Sequence, residues 1–320
     1  MARYIVTRLL GFIPLLLGVS MCSYALMALA PGGPAGVLSG MARRSTLAER
    51  TAIADRFGLN QPWYVQYLRW LEKLTLHHDL GISYIDGRPV LEKILEKLPV
   101  TLEVVGIAFV LTLVLAVPLA VAAAAREDSL FDHIATFLAF VGYCSPSFWI
   151  ASMLLEVFAV QLRWLPASGL SDIGVASFDL GDHLRHLILP VATLTIVGMG
   201  SWMRYQRSAM VEVLGQDFIR TARAKGLAER VILFRHALPK AVLPVITLFG
   251  LFLPAFVVGS YFVESIFSLP GMGSLGLNAI LERDYPTIMG TTFLTALMVA
   301  VGNLMADVAC TLVDPRIRYA

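Results

Sequence analysis

Charge is scarce in this sequence. Only 15% of its 320 residues are Asp, Glu, Lys or Arg, against about a quarter in a typical soluble protein. The formal net charge of +2 is too small to suggest a nucleic-acid partner. The dipeptide Gly-Lys does not occur, so the chain has no Walker A loop to cradle nucleotide phosphates. HExxH and GxSxG are missing too, which removes the signatures of zinc peptidases and nucleophile-elbow hydrolases. The three cysteines, Cys22, Cys144 and Cys310, each lie inside an apolar stretch. Thiols so placed read as small packing residues rather than disulfide partners or metal ligands. His183 and His186 could share a helical face, but no third ligand is evident and they read as surface residues. No catalytic residue, bound metal or bound cofactor is therefore expected of this chain.

Apolar sequence is what it has in abundance. Hydrophobic residues make up 57%, and six runs approach or exceed the roughly 20 residues needed to cross a bilayer. They are Leu9–Ala30, Thr101–Ala125, Ile134–Val160, Leu187–Met203, Leu238–Phe262 and Ile288–Val313. Pro118, Pro146, Pro190 and Pro254 fall within them, as spanning helices tolerate. The first run imitates a signal peptide, with Arg3 and Arg8 ahead of it and Ala28-Leu29-Ala30 at its end. Its length exceeds the usual 7–15 apolar residues of such a leader, so it reads as an uncleaved first helix. Residues Arg204 to Lys240 carry eight basic and three acidic side chains. With Arg3, Arg8, Arg316 and Arg318 on the same side of a six-span chain, the positive-inside rule makes that side, and both termini, cytoplasmic.

The expected organisation is a tail and first span over 1–30, an external helical segment over 31–100, and a core of five spans over 101–320. Within the external segment, Leu47–Phe57 has helical spacing and stops at Gly58, and Pro62 can open a second helix. Val90–Leu98 alternates apolar and charged faces and reads as a short surface helix ended by Pro99. Glu156 and Asp307 are the clearest charges within spans, and such residues are functional candidates.

The loop at 204–240 is the most informative stretch. Asp217-Phe218-Ile219-Arg220-Thr221-Ala222-Arg223-Ala224-Lys225 has an acid at its start and a base at its end, which suits a short helix, and Gly226 closes it. Phe218 and Ile219 offer apolar bulk, and Ala222 and Ala224 leave room for close approach. A helix of this kind can enter a groove on a soluble partner, or it can be a basic loop that only sets topology.

This loop resembles the EAA loop of permease subunits in binding-protein-dependent ABC importers, with Asp217 in place of the usual Glu and with Gly226 and Pro239 at the Gly and Pro positions. Further motifs resemble the dipeptide/oligopeptide branch: Ala30-Pro31-Gly32-Gly33-Pro34, Leu59-Asn60-Gln61-Pro62, Asp79-Leu80-Gly81 with Ser83, Val263-Glu264-Ser265-Ile266-Phe267, Pro270-Gly271-Met272-Gly273 and Arg283-Asp284-Tyr285-Pro286. They keep their order over nearly the whole chain and are closest to the B-type subunit. The resemblance implies an all-α membrane protein of the type I importer fold, in the bacterial cytoplasmic membrane. It implies a homologous second permease, two ABC ATPases that use ATP and Mg, and an external substrate-binding protein. It places ATPase coupling on Asp217, Phe218, Ile219, Ala222, Arg223, Ala224, Lys225 and Gly226. An external gate or turn falls on Gly259, Glu264, Pro270, Gly271 and Gly273. Leu38-Ser39-Gly40, like the start of an ABC signature, reads as a loop coincidence. A nickel or metal-chelate importer shares these motifs and stays open as an alternative. An ion-coupled secondary transporter would show midplane charges and broken repeated spans, which the sequence does not display.

Overall fold

The computed structural model describes residues 2–30, 61–172, 179–242, 246 and 260–313. Among these residues the regular structure is helical, apart from an isolated antiparallel bridge between Ile82 and Pro89. The helices are α1 (Ala2–Leu29), α2 (Trp63–His77), α3 (Val90–Ala124), α4 (Leu130–Cys144), α5 (Ser147–Leu154), α6 (Leu180–Leu214), α7 (Asp217–Ala224), α8 (Met272–Glu282) and α9 (Tyr285–Val313), with shorter helical pieces over 229–241. Among the described residues, four single helices are long and apolar enough to cross a membrane, Thr7–Leu29, Val90–Ala124, Leu180–Leu214 and Tyr285–Met305, and the bent pair Leu130–Cys144 with Ser147–Gln161 qualifies when taken together. Most of the expected span Leu238–Phe262 lies outside the described residues, as do Leu38-Ser39-Gly40 and Leu47–Phe57.

Two expectations about spans are corrected. Val90–Leu98 is not a separate surface helix, because α3 runs unbroken from Val90 to Ala124 through Pro99. Proline removes one backbone donor, but the amphipathic turns before it and the long apolar run after it outweigh that single loss. The run Ile134–Val160 is not one straight helix either. α4 and the Ser147–Gln161 arm, whose last turns Leu155–Gln161 are π-helical, meet at an angle of 103°. Ser145 is extended (φ −79, ψ 132) ahead of Pro146, the conformation that proline imposes on its predecessor.

The contacts fall into two compact units, 1–99 with 274–300 and 100–273 with 301–320. In the first, α2 opens after Pro62 as its sequence suggests. It leans on α1 through Tyr67 and Ser20, whose hydroxyls lie 3.1 Å apart, and through Tyr24, which donates to Gln66 Oε1 at 3.1 Å. Trp70 stacks on Tyr67 and meets Phe293 edge-on. Asp284 is buried and accepts from Ser83 Oγ (2.6 Å), the Tyr84 amide (2.9 Å) and Thr287 Oγ1 (2.6 Å). A buried carboxylate needs such donors to offset its lost hydration, and here they come from two separate sequence motifs.

In the second unit, apolar clusters form where α3 meets α6. Phe109 packs edge-on to Trp202, and Ala116, Ala120, Ala123 and Met203 are buried beside them. At Gly200 the backbones of α4 and α6 come so close that a Cβ would collide with the Ala139 carbonyl oxygen and the Tyr143 backbone. Asp132, buried on α4, is gripped by both arms of the Arg207 guanidinium from α6. Glu156 is exposed and accepts from Gln161 Nε2 at 3.3 Å, so it is not a buried charge; Asp307 is partly exposed near the end of α9.

Candidate functional site

α7 forms where the sequence places it. Gln216 is extended (ψ 151) ahead of it, Lys225 follows its last turn, and Gly226 has φ +76. That left-handed conformation is one glycine adopts without penalty. The helix is strongly two-faced. Ile219 is fully buried and Ala222 nearly so, packed with Val121, Met210, Val213, Ile232, Ala237 and Ala241. Asp217, Arg220, Thr221, Arg223, Ala224, Lys225 and Gly226 are exposed. Ile219 and Ala222 are thus anchors in the chain's own core, not a knob or a gap offered to a partner. The apolar spacing showed that α7 has a greasy side but not which neighbour covers it.

Phe218 is half-buried, and Lys240 Nζ stands 3.6 Å from its ring centroid, a cation–π arrangement. Arg223 donates to Glu229 at 2.7 Å, and this hydrogen bond holds the Glu229 carboxyl below the usual carboxylate range. The pair braces the turn at Gly226, joining α7 to the following helical pieces. Asp217 and Arg220 pair at 3.3 Å on the open surface, where such contacts add little. Beyond the turn, Arg230, Val231, Phe234, Arg235 and Pro239 line a shallow concavity of about 520 Å³, with Phe234 exposed. The exposed side of this loop is therefore basic with isolated apolar residues, held in shape from beneath.

The residues expected at an external gate make a locked turn. Gly259 lies outside the described residues. Glu264 is fully buried, and Thr101 Oγ1 donates to its Oε1 at 2.7 Å. The same Thr101 oxygen accepts from the Met272 amide at 2.7 Å. The Leu269 amide donates to the Glu264 carbonyl at 2.8 Å. Gly271 and Gly273 are buried against the carboxyl group. A Cβ at Gly271 would overlap the carboxyl atoms, and one at Gly273 would stand 2.7 Å from Oε2. These glycines leave room for Glu264 inside the turn, while Pro270 is half-buried at its start. Thr101, the partner that completes the clasp, was not singled out from sequence; a lone threonine at the edge of an apolar run carries no signal.

The profile of the family described as "Binding-protein-dependent transport system inner membrane component" matches residues 116–319, and that of its N-terminal part matches residues 1–105. The chain is 43% identical, over the full length of both chains, to the oligopeptide transport system permease protein AppB of Bacillus subtilis. It is 36% identical over the full length of both to the dipeptide transport system permease protein DppB of Alkalihalophilus pseudofirmus. Among solved structures, an inward-facing MetNI methionine ABC transporter matches with a TM-score of 0.57 at 16% identity. That match covers 70% of this chain and 97% of the other, a likeness of fold.

Proposed function

The chain belongs to the family of binding-protein-dependent transport system inner membrane components, and from that premise we propose that it is the B-type permease subunit of an importer for dipeptides or oligopeptides. The observation that carries the cargo assignment is the end-to-end identity to an oligopeptide permease. A homologous permease completes the passage, two ATPases bind the loops, and an external protein delivers the peptide. This chain performs no chemistry on ATP; its part is mechanical.

In this reading α7 is the lever. Its inward face, Ile219 and Ala222, is fixed in the core, so a push on its outward face moves the ends of α3 and α6 rather than being absorbed by the loop. ATP binding by the partners draws the two levers together and favours the outward-open state, and hydrolysis reverses the shift. Such a transmission needs a constant helix angle, which Gly226 and the Arg223–Glu229 pair maintain.

The test is reconstitution of the complete importer with Phe218→Ala or Gly226→Asp in this subunit. Both variants should insert and express normally yet lose peptide uptake, with ATPase attachment or coupling impaired. Wild-type uptake with intact assembly in both variants would reduce the loop to a topology signal and sink the mechanism.

A further inference from the structure

α2 is too short to cross a membrane, yet its contacts do not leave it outside one. Its 15 residues give a length of about 22 Å, against a hydrocarbon core of roughly 30 Å. The two spans it touches mark its depth. On α1 its partners are Ser20, opposite Tyr67, and Tyr24, opposite Gln66. α1 runs on past Ser20 to Leu29, about 13 Å further along the axis. On α9 its partner is Phe293, edge-on to Trp70. α9 starts at Tyr285, about 12 Å before Phe293. An aromatic side chain reaches less far than that, so α2 lies beside the last turns of α1 and the first turns of α9, not above them. Around its own axis α2 has three sides. Tyr67 and Trp70 are buried against the two spans. Tyr64 and Leu68, four residues apart and so on one strip, are 55% and 59% exposed, and half-buried Leu71 continues that strip. Arg69 and Lys73, also four apart, form an exposed strip on the other flank of the buried side.

From this arrangement we infer that α2 lies in the plane of the membrane interface, with Tyr64, Leu68 and Leu71 against acyl chains and Arg69 and Lys73 on the phosphates of phospholipid headgroups. A helix in bulk water gains nothing from a second apolar strip beside its buried side. One sunk in the hydrocarbon core would leave two cations unsolvated. At the interface both flanks are satisfied, because such helices sink about 5–10 Å into the boundary between headgroups and acyl chains. Trp63 and Tyr64, both exposed at the start of α2, are the residue types that settle at headgroup level. Arg69 and Lys73 can lay their stems along the apolar boundary and hold their charges on phosphate. The neighbouring surface already faces lipid: α1 is exposed along nearly all of its span, with Leu26 and Leu29 uncovered at its end. Lipid that covers α1 there reaches the flank of α2.

The test is collision spin labelling of the complete importer in phospholipid vesicles. The three cysteines of this chain are replaced by serine, and a nitroxide is placed on Leu68→Cys or on Lys73→Cys. Both positions are exposed, so neither label threatens folding. Oxygen concentrates in lipid, and a nickel chelate stays in water. The label at position 68 should collide with oxygen several-fold more readily than with the chelate, and the label at position 73 should show the reverse. Arg69→Gln with Lys73→Gln, introduced beside the label at position 68, should shift that ratio toward the chelate. An unchanged ratio would overturn the phosphate contacts. Equal chelate collision at positions 68 and 73 would place α2 in water and overturn the interfacial position. A label at position 68 that meets neither reagent would show that protein covers the strip, from this chain or from the external binding protein, and would also overturn it.

Discussion

Two glycines in this chain are required for opposite reasons, and the contrast is measurable. A Cβ at Gly226 meets nothing within 4 Å, so Gly226→Ala faces only the strain of φ +76, about 1–2 kcal/mol. At Gly271 the space itself is taken by the Glu264 carboxyl. Gly271→Ala must displace that group from Thr101 Oγ1 or open the turn, at a cost of about 1–3 kcal/mol for overpacking alone. Thermal melting of the purified importer should therefore fall further for Gly271→Ala than for Gly226→Ala. Equal melting would mean that the clasp around Glu264 adds nothing to stability. Transport should divide them the other way at Gly226 once the substitution is bulky and charged, because the surface there is the lever's hinge.

At the scale of the helix, α7 separates into an anchoring face and a presented face. Ile219→Ala leaves a cavity among Met210, Val213 and Ile232 and should cost about 2–4 kcal/mol, seen as lower permease yield. Arg220→Ala, on the presented face, should leave yield unchanged and read out as weaker ATPase retention on co-purification. A pH dependence follows from the Arg223–Glu229 brace. The Glu229 carboxyl is held below its unfolded value by the Arg223 hydrogen bond. Its contribution is then present above the unfolded value and is lost as pH falls through the depressed folded one. Between about pH 6 and 8 ATPase retention should stay flat, with any loss confined to the acid side of the ordinary glutamate range. A drop in retention between those limits would show that another group governs the hinge. The sequence disclosed α7, its glycine stop and the long apolar helices, because those signals are local and periodic. It did not disclose that α3 continues through Pro99, since proline reads locally as a stop. Nor did it disclose the pairing of Thr101 with Glu264 or of Ser83 with Asp284. These partners are 163 and 201 positions apart, and a single hydrogen bond across such a distance leaves no periodic trace. The direction of Ile219 was hidden for a related reason: helical spacing shows that a face is apolar but not which body it packs on.

For the whole molecule, the excess of positive charge on 204–240 and the termini predicts one orientation. A single cysteine introduced at position 229 in a cysteine-free background should react with a membrane-impermeant thiol reagent only after the cells are opened. Labelling in intact cells would invert the topology and place the lever where no ATPase can reach it. The bend at Ser145 and Pro146 has a consequence for the surrounding lipid. α4 has 15 residues, a length of about 22 Å against a hydrocarbon core of roughly 30 Å. Its outer face, with Phe131, Ile134, Phe137, Leu138 and Phe140 exposed, is too short to match an ordinary bilayer. Where that face meets lipid, the adjoining leaflets would have to thin around it, at a small cost per ångström of mismatch. Peptide uptake by the reconstituted importer should then vary with acyl-chain length, running faster in thinner bilayers than in thick, sterol-stiffened ones. A rate indifferent to thickness would show that protein, not lipid, covers this short face.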